Sequence, residues 1–233
     1  MQYDHYRTGI FFSRPNRFIA EVECGGEKLR AHVKNTGRCR ELLVPGCKVG
    51  LAFSDRPERR TPCDLVQTEK LTPSGPISVN MDSQAPNQLT EEFLQAGRGS
   101  ELFPHITGWK REVTTGDSRL DFRLDTDDGP IWMEVKGCTL EQDGLCRFPD
   151  APTLRGTKHM QTLRQKALSG ERAAVFFVIQ LASAKVFSPN RETDPRFSDA
   201  LKAAYDAGVA VFAYACSVGE GTCSITHSVP VLL

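Results

Sequence analysis

Residues 119–136 read RLDFRLDTDDGPIWMEVK, and their alternation decides the fold of the second half of the chain. Leu120, Phe122 and Leu124 alternate with Arg119, Asp121, Arg123 and Asp125. Ile131, Met133 and Val135 alternate with Trp132, Glu134 and Lys136. Successive side chains of a strand point to opposite faces, so both halves read as strands, with Asp127-Asp128-Gly129-Pro130 as the turn. If both apolar rows enter one core the register is restricted, because a slip of one residue turns a strand over. The pairings allowed put Leu124 against Ile131, Phe122 against Met133 and Leu120 against Val135, or shift by two. In the first of these Asp121 lies across from Glu134. Core burial alone then gathers Asp121, Glu134 and Lys136 on the opposite face.

Two carboxylates so placed repel unless a cation lies between them. Oxygen ligands without a neighbouring cysteine or histidine favour Mg²⁺ or Mn²⁺ over zinc. The Val135 carbonyl is a further oxygen within reach, and Lys136 can orient a water or stabilise charge on a phosphate. A hairpin whose charged face is merely solvated has the same spacing.

Outward from this hairpin the two halves differ. Towards the N-terminus, short strands are expected at Phe18–Glu23, Lys28–Val33, Val49–Ser54, Leu65–Lys70 and Pro76–Met81, broken by Gly25-Gly26, Pro45-Gly46, Pro57 and Pro73-Ser74-Gly75. Many strands and little helix suggest a small barrel over residues 1–86. From Asn87, taken as a cap, a helix is expected over 88–97, then strands near 109–114, 119–125 and 131–136. A helix over 155–168, a doubly covered strand at Ala173–Leu181, a helix from Asp194-Pro195 to about Ala207 and a strand at Val209–Ala215 follow. Residues 87–233 thus form an α/β domain with a mixed central sheet.

Composition narrows the function classes. The chain has 233 residues, 39% of them hydrophobic, and no run of about 18 apolar residues as a membrane span needs. Its N-terminus lacks the basic-then-apolar order of a signal peptide, so a cytoplasmic protein is expected. Eight cysteines without a C-x-x-C pair read as reduced, mostly buried thiols. Net charge is zero, whereas proteins living on nucleic acid usually carry a basic surplus. Residues 1–86 hold 13 Lys/Arg against 10 Asp/Glu, and residues 87–233 hold 16 against 19, so the surplus lies in the first domain.

That surplus gathers in Arg14, Arg17, Arg38 and Arg40, near Asn35 and His32. With Phe11, Phe12 and Phe18 alongside they resemble the basic grooves and aromatic platforms of single-strand binders, although aromatics are more often core. In the second domain Arg155 and His159 stand one helical turn apart, with Thr162 and Lys166 extending their face. They could hold a phosphate; a solvated face explains them as well.

D-x12-E-x-K across two strands resembles the PD-(D/E)xK nuclease superfamily. Over nearly the whole chain the sequence also resembles the sugar fermentation stimulation family, SfsA. The stretches that carry this are NRFIA (16–20), HVKNTGRCREL (32–42), SRLDF (118–122), EVKGCTL (134–140), FPDAPTLRGTKHMQTL (148–163) and GERAAVFFVIQ (170–180). The resemblance implies an OB-like N-terminal barrel, a restriction-endonuclease-like C-terminal domain and DNA binding. It carries over Asp121, Glu134 and Lys136 as the acid, acid and lysine, with Gln180 as the polar residue some members place beside the site. Glu112 is either an additional acidic ligand or a strand-edge ion-pair partner. Pro149-Asp150 follows the E-x-K and cannot be the first acid.

The leading expectation is a Mg²⁺- or Mn²⁺-dependent nuclease cutting DNA phosphodiesters. The rival is a non-catalytic DNA-binding regulator of sugar metabolism that keeps the fold. A hydrolase of a small phosphorylated molecule is a third class. Strandedness, sequence specificity and oligomeric state leave no trace in the residues.

Overall fold

The computed structural model describes residues 1–35, 37, 39–56 and 58–233. Six strands build the N-terminal sheet: β1 (Tyr6–Asn16), β2 (Ile19–Cys24), β3 (Glu27–Val33), β4 (Lys48–Phe53), β5 (Cys63–Thr72) and β6 (Gly75–Asn80). Their order is β3-β2-β1-β4-β5-β6, and β3 also pairs with β5, which closes the sheet on itself. Phe11, Ala20, Val22, Ala31, Val49, Leu51 and Leu65 fill the interior.

Chain continues into α1 (Ala85–Gln95), a 3-10 turn (Arg98–Glu101), β7 (Ile106–Thr115), β8 (Ser118–Thr126) and β9 (Ile131–Cys138). Next come β10 (Leu140–Gln142), β11 (Leu145–Phe148), α2 (Leu154–Leu168), β12 (Arg172–Ile179), β13 (Val186–Pro189), α3 (Pro195–Asp206), β14 (Ala210–Gly219) and β15 (Thr222–Ser228). The main C-terminal sheet runs β15-β14-β12-β9-β8-β7. Strand β12 is parallel to both β9 and β14 while the outer pairings are antiparallel, so the sheet is mixed. On one face α1 packs Leu89 and Phe93 with Phe122, Met133 and Phe176. On the other, Met160 and Leu163 of α2 and Phe197 and Leu201 of α3 share a core with Val175 and Phe177.

Three local expectations needed revision. Strand β1 was missed, because Gly9 and Arg14-Pro15-Asn16 interrupt its alternation; Phe11 is buried in it all the same. Asn87 is not the cap of α1: Pro86 sets the first turn, the helix starts at Ala85, and Asn87 stands inside it. The small sheet β10-β11-β13 had no periodicity long enough to read. The other two caps follow their chemistry, Thr153 Oγ1 accepting from Gly156 N (3.0 Å) and Asp194 Oδ1 from Phe197 N (3.0 Å).

The domains meet through a buried polar junction. Asn80 N donates to Gln180 O (2.9 Å), and Asp82, 2% exposed, takes an ion pair from Lys34 (2.8 Å). Tyr3 Oη donates to the same carboxylate (3.2 Å), and the Asp82 Oδ1 atom accepts from Gln84 N at the start of α1 (2.9 Å).

Candidate active site at the splayed hairpin

Hairpin β8–β9 takes the first of the expected registers, Leu124 against Ile131 and Phe122 against Met133. Pairing stops there. One residue further the Asp121 carboxylate stands in for the ladder, Oδ2 accepting from Val135 N (2.9 Å) and Oδ1 from Asn87 Nδ2 of α1 (2.9 Å). On an extended strand a residue's N–H and C=O face the same side, so the Val135 carbonyl looks into the same gap. Leu120, beyond the splay, packs in the cluster on the α2 side rather than with Phe122.

Glu134 is 1% exposed. Its Oε1 receives both the Lys136 ammonium and His159 Nδ1. Arg155 Nε lies 3.5 Å from His159 Nε2, which fits a proton on Nδ1 and an accepting Nε2. The second oxygen, Glu134 Oε2, is buried with no hydrogen-bond partner among the described residues. Leaving a buried acceptor unmatched costs about 1–3 kcal/mol, more when it is charged. Burial, and next the charge of Glu134, raises the Asp121 carboxyl above its ordinary range. Burial is also the largest influence on Glu134, but the His159 hydrogen bond and Lys136 outweigh it and hold that carboxyl low. The pair is therefore an ionised Glu134 with one unpartnered oxygen and an Asp121 that resists ionising beside it.

Among the described residues no three His, Cys, Asp or Glu side chains converge as a closed metal cage. The hairpin instead brings the Glu134 charge within electrostatic reach of Asp121, whose Oδ2 is held by Val135 N. Mg²⁺ commonly binds through one or two carboxylates and keeps several waters.

The remaining predicted residues separate by location. His159 is turned inward, 5% exposed, bracing Glu134, while Arg155 is exposed at the rim. Gln180 is 2% exposed, and its Nε2 donates to Asn80 Oδ1 (2.8 Å) and Asp82 O (3.0 Å) in the domain junction. A side chain at Gly137 would strike Gln180 Oε1, its Cβ only 2.6 Å away, so Gln180 flanks the strand carrying Lys136. Glu112 sits on β7 with φ +55° and pairs with Arg119 Nε (2.8 Å), the strand-edge alternative.

In the barrel, Arg14, Arg17 and Arg40 line a cleft of about 540 Å³ with Asn16, Leu43 and Ala151 of the other domain. Arg14 donates to the carbonyls of Gly37 (2.9 Å), Arg17 (2.6 Å) and Asn35 (2.8 Å). Asn35 holds its own loop, Nδ2 to Met81 O (3.0 Å) and Oδ1 from Gly37 N (2.8 Å). Arg38 lies outside the described residues, as does Pro57. Phe12 and Phe18 are 39% and 48% exposed, against the expectation that the aromatics here are core. Asn87, missed as a site residue, has no sequence signal of its own; only the helix–strand packing shows that it holds Asp121.

Comparisons with known proteins bear on both domains. A family model described as the SfsA N-terminal OB domain matches residues 12–78, and one described as the sugar fermentation stimulation protein RE domain matches 84–222. The chain belongs to the sugar fermentation stimulation protein family. It is 46% identical to a homolog from Ruminiclostridium cellulolyticum over 100% of both chains, and 45% identical to one from Clostridium perfringens over 97% of each. The solved structure of SfsA from Pyrococcus furiosus in complex with Ca²⁺ matches with a TM-score of 0.86 and 27% identity, covering 100% of this chain and 98% of that one. The barrel is accordingly an OB domain, and the mixed sheet with its helices is the restriction-endonuclease-like domain of the family. Among the described residues no helix is long and apolar enough to cross a membrane.

Proposed function

We propose that this protein is a Mg²⁺- or Mn²⁺-dependent nuclease that hydrolyses DNA phosphodiester bonds at Asp121, Glu134 and Lys136. The observation that carries this is the buried Oε2 of Glu134, without a hydrogen-bond partner among the described residues, on a carboxylate whose charge reaches Asp121. Buried carboxylate oxygens are normally partnered, and a bound cation is one partner that suits this one. Asp121, Glu134 and the Val135 carbonyl would hold the ion, which supplies Lewis-acid stabilisation of phosphate charge. The relative in complex with Ca²⁺ supports a hard cation, since calcium and magnesium both take oxygen ligands.

The chain's own groups divide the remaining work. Asn87 and the Val135 N–H fix the Asp121 carboxylate. His159 and Lys136 hold Glu134 ionised and by one oxygen, which leaves the other to face the gap. The Lys136 ammonium, 15% exposed, is also the cation nearest the pair and can offset charge developing on a phosphate. On the barrel side, Arg17 and Arg40 with exposed Phe12 and Phe18 suit a flexible strand, phosphates on guanidinium groups and bases on rings, while Arg14 braces the loop beneath them through three carbonyls.

The test compares the parent with Glu134→Gln from identical preparations on labelled single strands, duplexes and branched DNA with Mn²⁺ or Mg²⁺. The parent is expected to cut and chelator to stop it; Glu134→Gln is expected to bind but not cut. Equal cutting by both marks a contaminant. Binding without cutting by either, on every substrate, leaves the non-catalytic DNA-binding regulator.

A further inference from the structure

A second polar groove lies against the catalytic domain, away from the barrel. It is bounded by α2 and the β7–β8 turn, encloses about 650 Å³, and is lined by Thr115, Ser118, Lys158, Thr162, Arg164 and Lys166, among others. It has no aromatic or large aliphatic wall: the rest of its lining is glycine, glutamine, serine, aspartate and glutamate. Its charges are unequally matched. Lys166 is bound to Glu171 (3.0 Å). Lys158 Nζ reaches only a carbonyl, Asp117 O (3.0 Å), and forms no ion pair among the described residues. Arg164 is exposed and has neither hydrogen bond nor ion pair among them. The Ser118 and Thr162 hydroxyls meet each other (2.8 Å) and pin the floor of the groove.

Position makes this groove more than a surface feature. Ser118 is three residues before Asp121 on β8, about 10 Å along a strand. Lys158 is next to His159, the residue bonded to Glu134, and Lys166 lies about 12 Å beyond Lys158 along the helix. At the ~3.4 Å axial spacing of nucleotides on one strand of B-DNA, that reach is about three nucleotides.

Resting on the nuclease reading above, we propose that this groove seats the sugar-phosphate backbone of the strand continuing past the cleaved bond. Lysine, arginine and hydroxyl donors are the groups that contact phosphate and sugar, and such contacts fix position without reading sequence. With no ring in its lining and no apolar wall, and with the neighbouring Trp132 covered by Lys166 (4.0 Å), the groove grips backbone rather than bases. The barrel cleft meets the second domain at Ala151, three residues before α2 begins, so it shares no lining residue with this groove.

The test is the double substitution Lys158→Ala with Arg164→Ala, measured by fluorescence anisotropy on DNA oligonucleotides of increasing length in Ca²⁺. Lys202→Ala on α3, which removes a lysine paired with Asp206 and outside the groove's lining, is the control. Loss of two phosphate contacts is expected to flatten the log–log salt slope by about 1.4–1.8. The gain in affinity on lengthening the DNA by about three nucleotides should vanish in the double variant and persist in the control. The loss should be alike for all base compositions. A double variant with the parent's slope and length dependence overturns the proposal, even if the parent cuts DNA. A parent that binds with the expected slope but never cuts sinks the nuclease reading and leaves the groove standing.

Discussion

Two buried carboxylate clusters in this protein are alike in content and opposite in condition. At the domain junction Asp82 meets Lys34, Tyr3 and the Gln84 N–H, while Asn80 and Gln180 satisfy one another and the chain around them. At the splayed hairpin, Glu134 has a lysine and a histidine on one oxygen and no hydrogen-bond partner on the other among the described residues, and its charge raises the neighbouring Asp121 carboxyl. Buried polar groups are normally satisfied, so the complete network reads as architecture, and the incomplete one is the place where the proposed cation would complete the bonding. Burial and charge alone do not distinguish them; the bare oxygen does.

The comparison breaks most forcefully at Asp82. Asp82→Ala strands Lys34 and frees Tyr3, Gln84 and the start of α1, and removing one partner of such a buried pair costs about 3–5 kcal/mol. Denaturant unfolding should show the loss, with cation affinity per folded molecule little changed. A stable Asp82→Ala protein would mean that the junction is held by its backbone contacts, such as Asn80 N to Gln180 O, and not by the network.

At the hairpin the expected profile is reversed. Lys136→Ala should leave folding close to the parent's, because the ammonium is a partner to a carboxylate that His159 still holds. Cleavage should slow by about 10²–10³, the usual cost of one positioned electrostatic donor. Single-turnover rates with Mn²⁺ measure it. A variant that cuts at the parent's rate takes Lys136 out of the chemistry.

How far all this was legible in the sequence follows the length scale of each feature. The hairpin register could be read because alternation of Phe122, Leu124, Ile131 and Met133 admits few pairings, and the closed barrel and mixed sheet followed from turn chemistry and the buried run at β12. The splay that ends the pairing at Phe122 could not be read, since it depends on Asn87 arriving from a helix 34 residues away in sequence. Gln180 reads as a neighbour of the lysine, yet its amide is claimed by residues 98 and 100 positions earlier, a contact that no local pattern encodes. His159 carries a helical-face signal that fits surface and interior equally; only packing against Glu134 turned it inward. Asn87 was assigned to capping because Asn suits that role, and the proline before it moved the helix start.

The smallest expected effect is the sharpest test of the comparison. Asp121 has its carboxyl raised by burial and by Glu134, so the folded protein binds its proton more tightly than the unfolded chain does. Sign follows from linkage: stability falls as pH rises from the ordinary carboxyl value through the raised folded one, and at neutral pH the ionised Asp121 is a net cost. Asp121→Asn removes that charge and keeps the shape. One oxygen still accepts from Val135 N, and Asn87 can turn its amide to offer oxygen to the new NH2 group. In chelator at pH 7 the variant should be more stable than the parent by about 1 kcal/mol, the usual size of a single stabilising change. Between pH 4 and 7 the parent's melting temperature should drift down relative to the variant's. Adding Mg²⁺ should reverse the order, because a ligand that binds only the folded parent raises its stability alone. An Asp121→Asn protein that is less stable than the parent in chelator would show that the carboxylate pair is satisfied without an ion, and the hairpin would then belong with the junction as architecture.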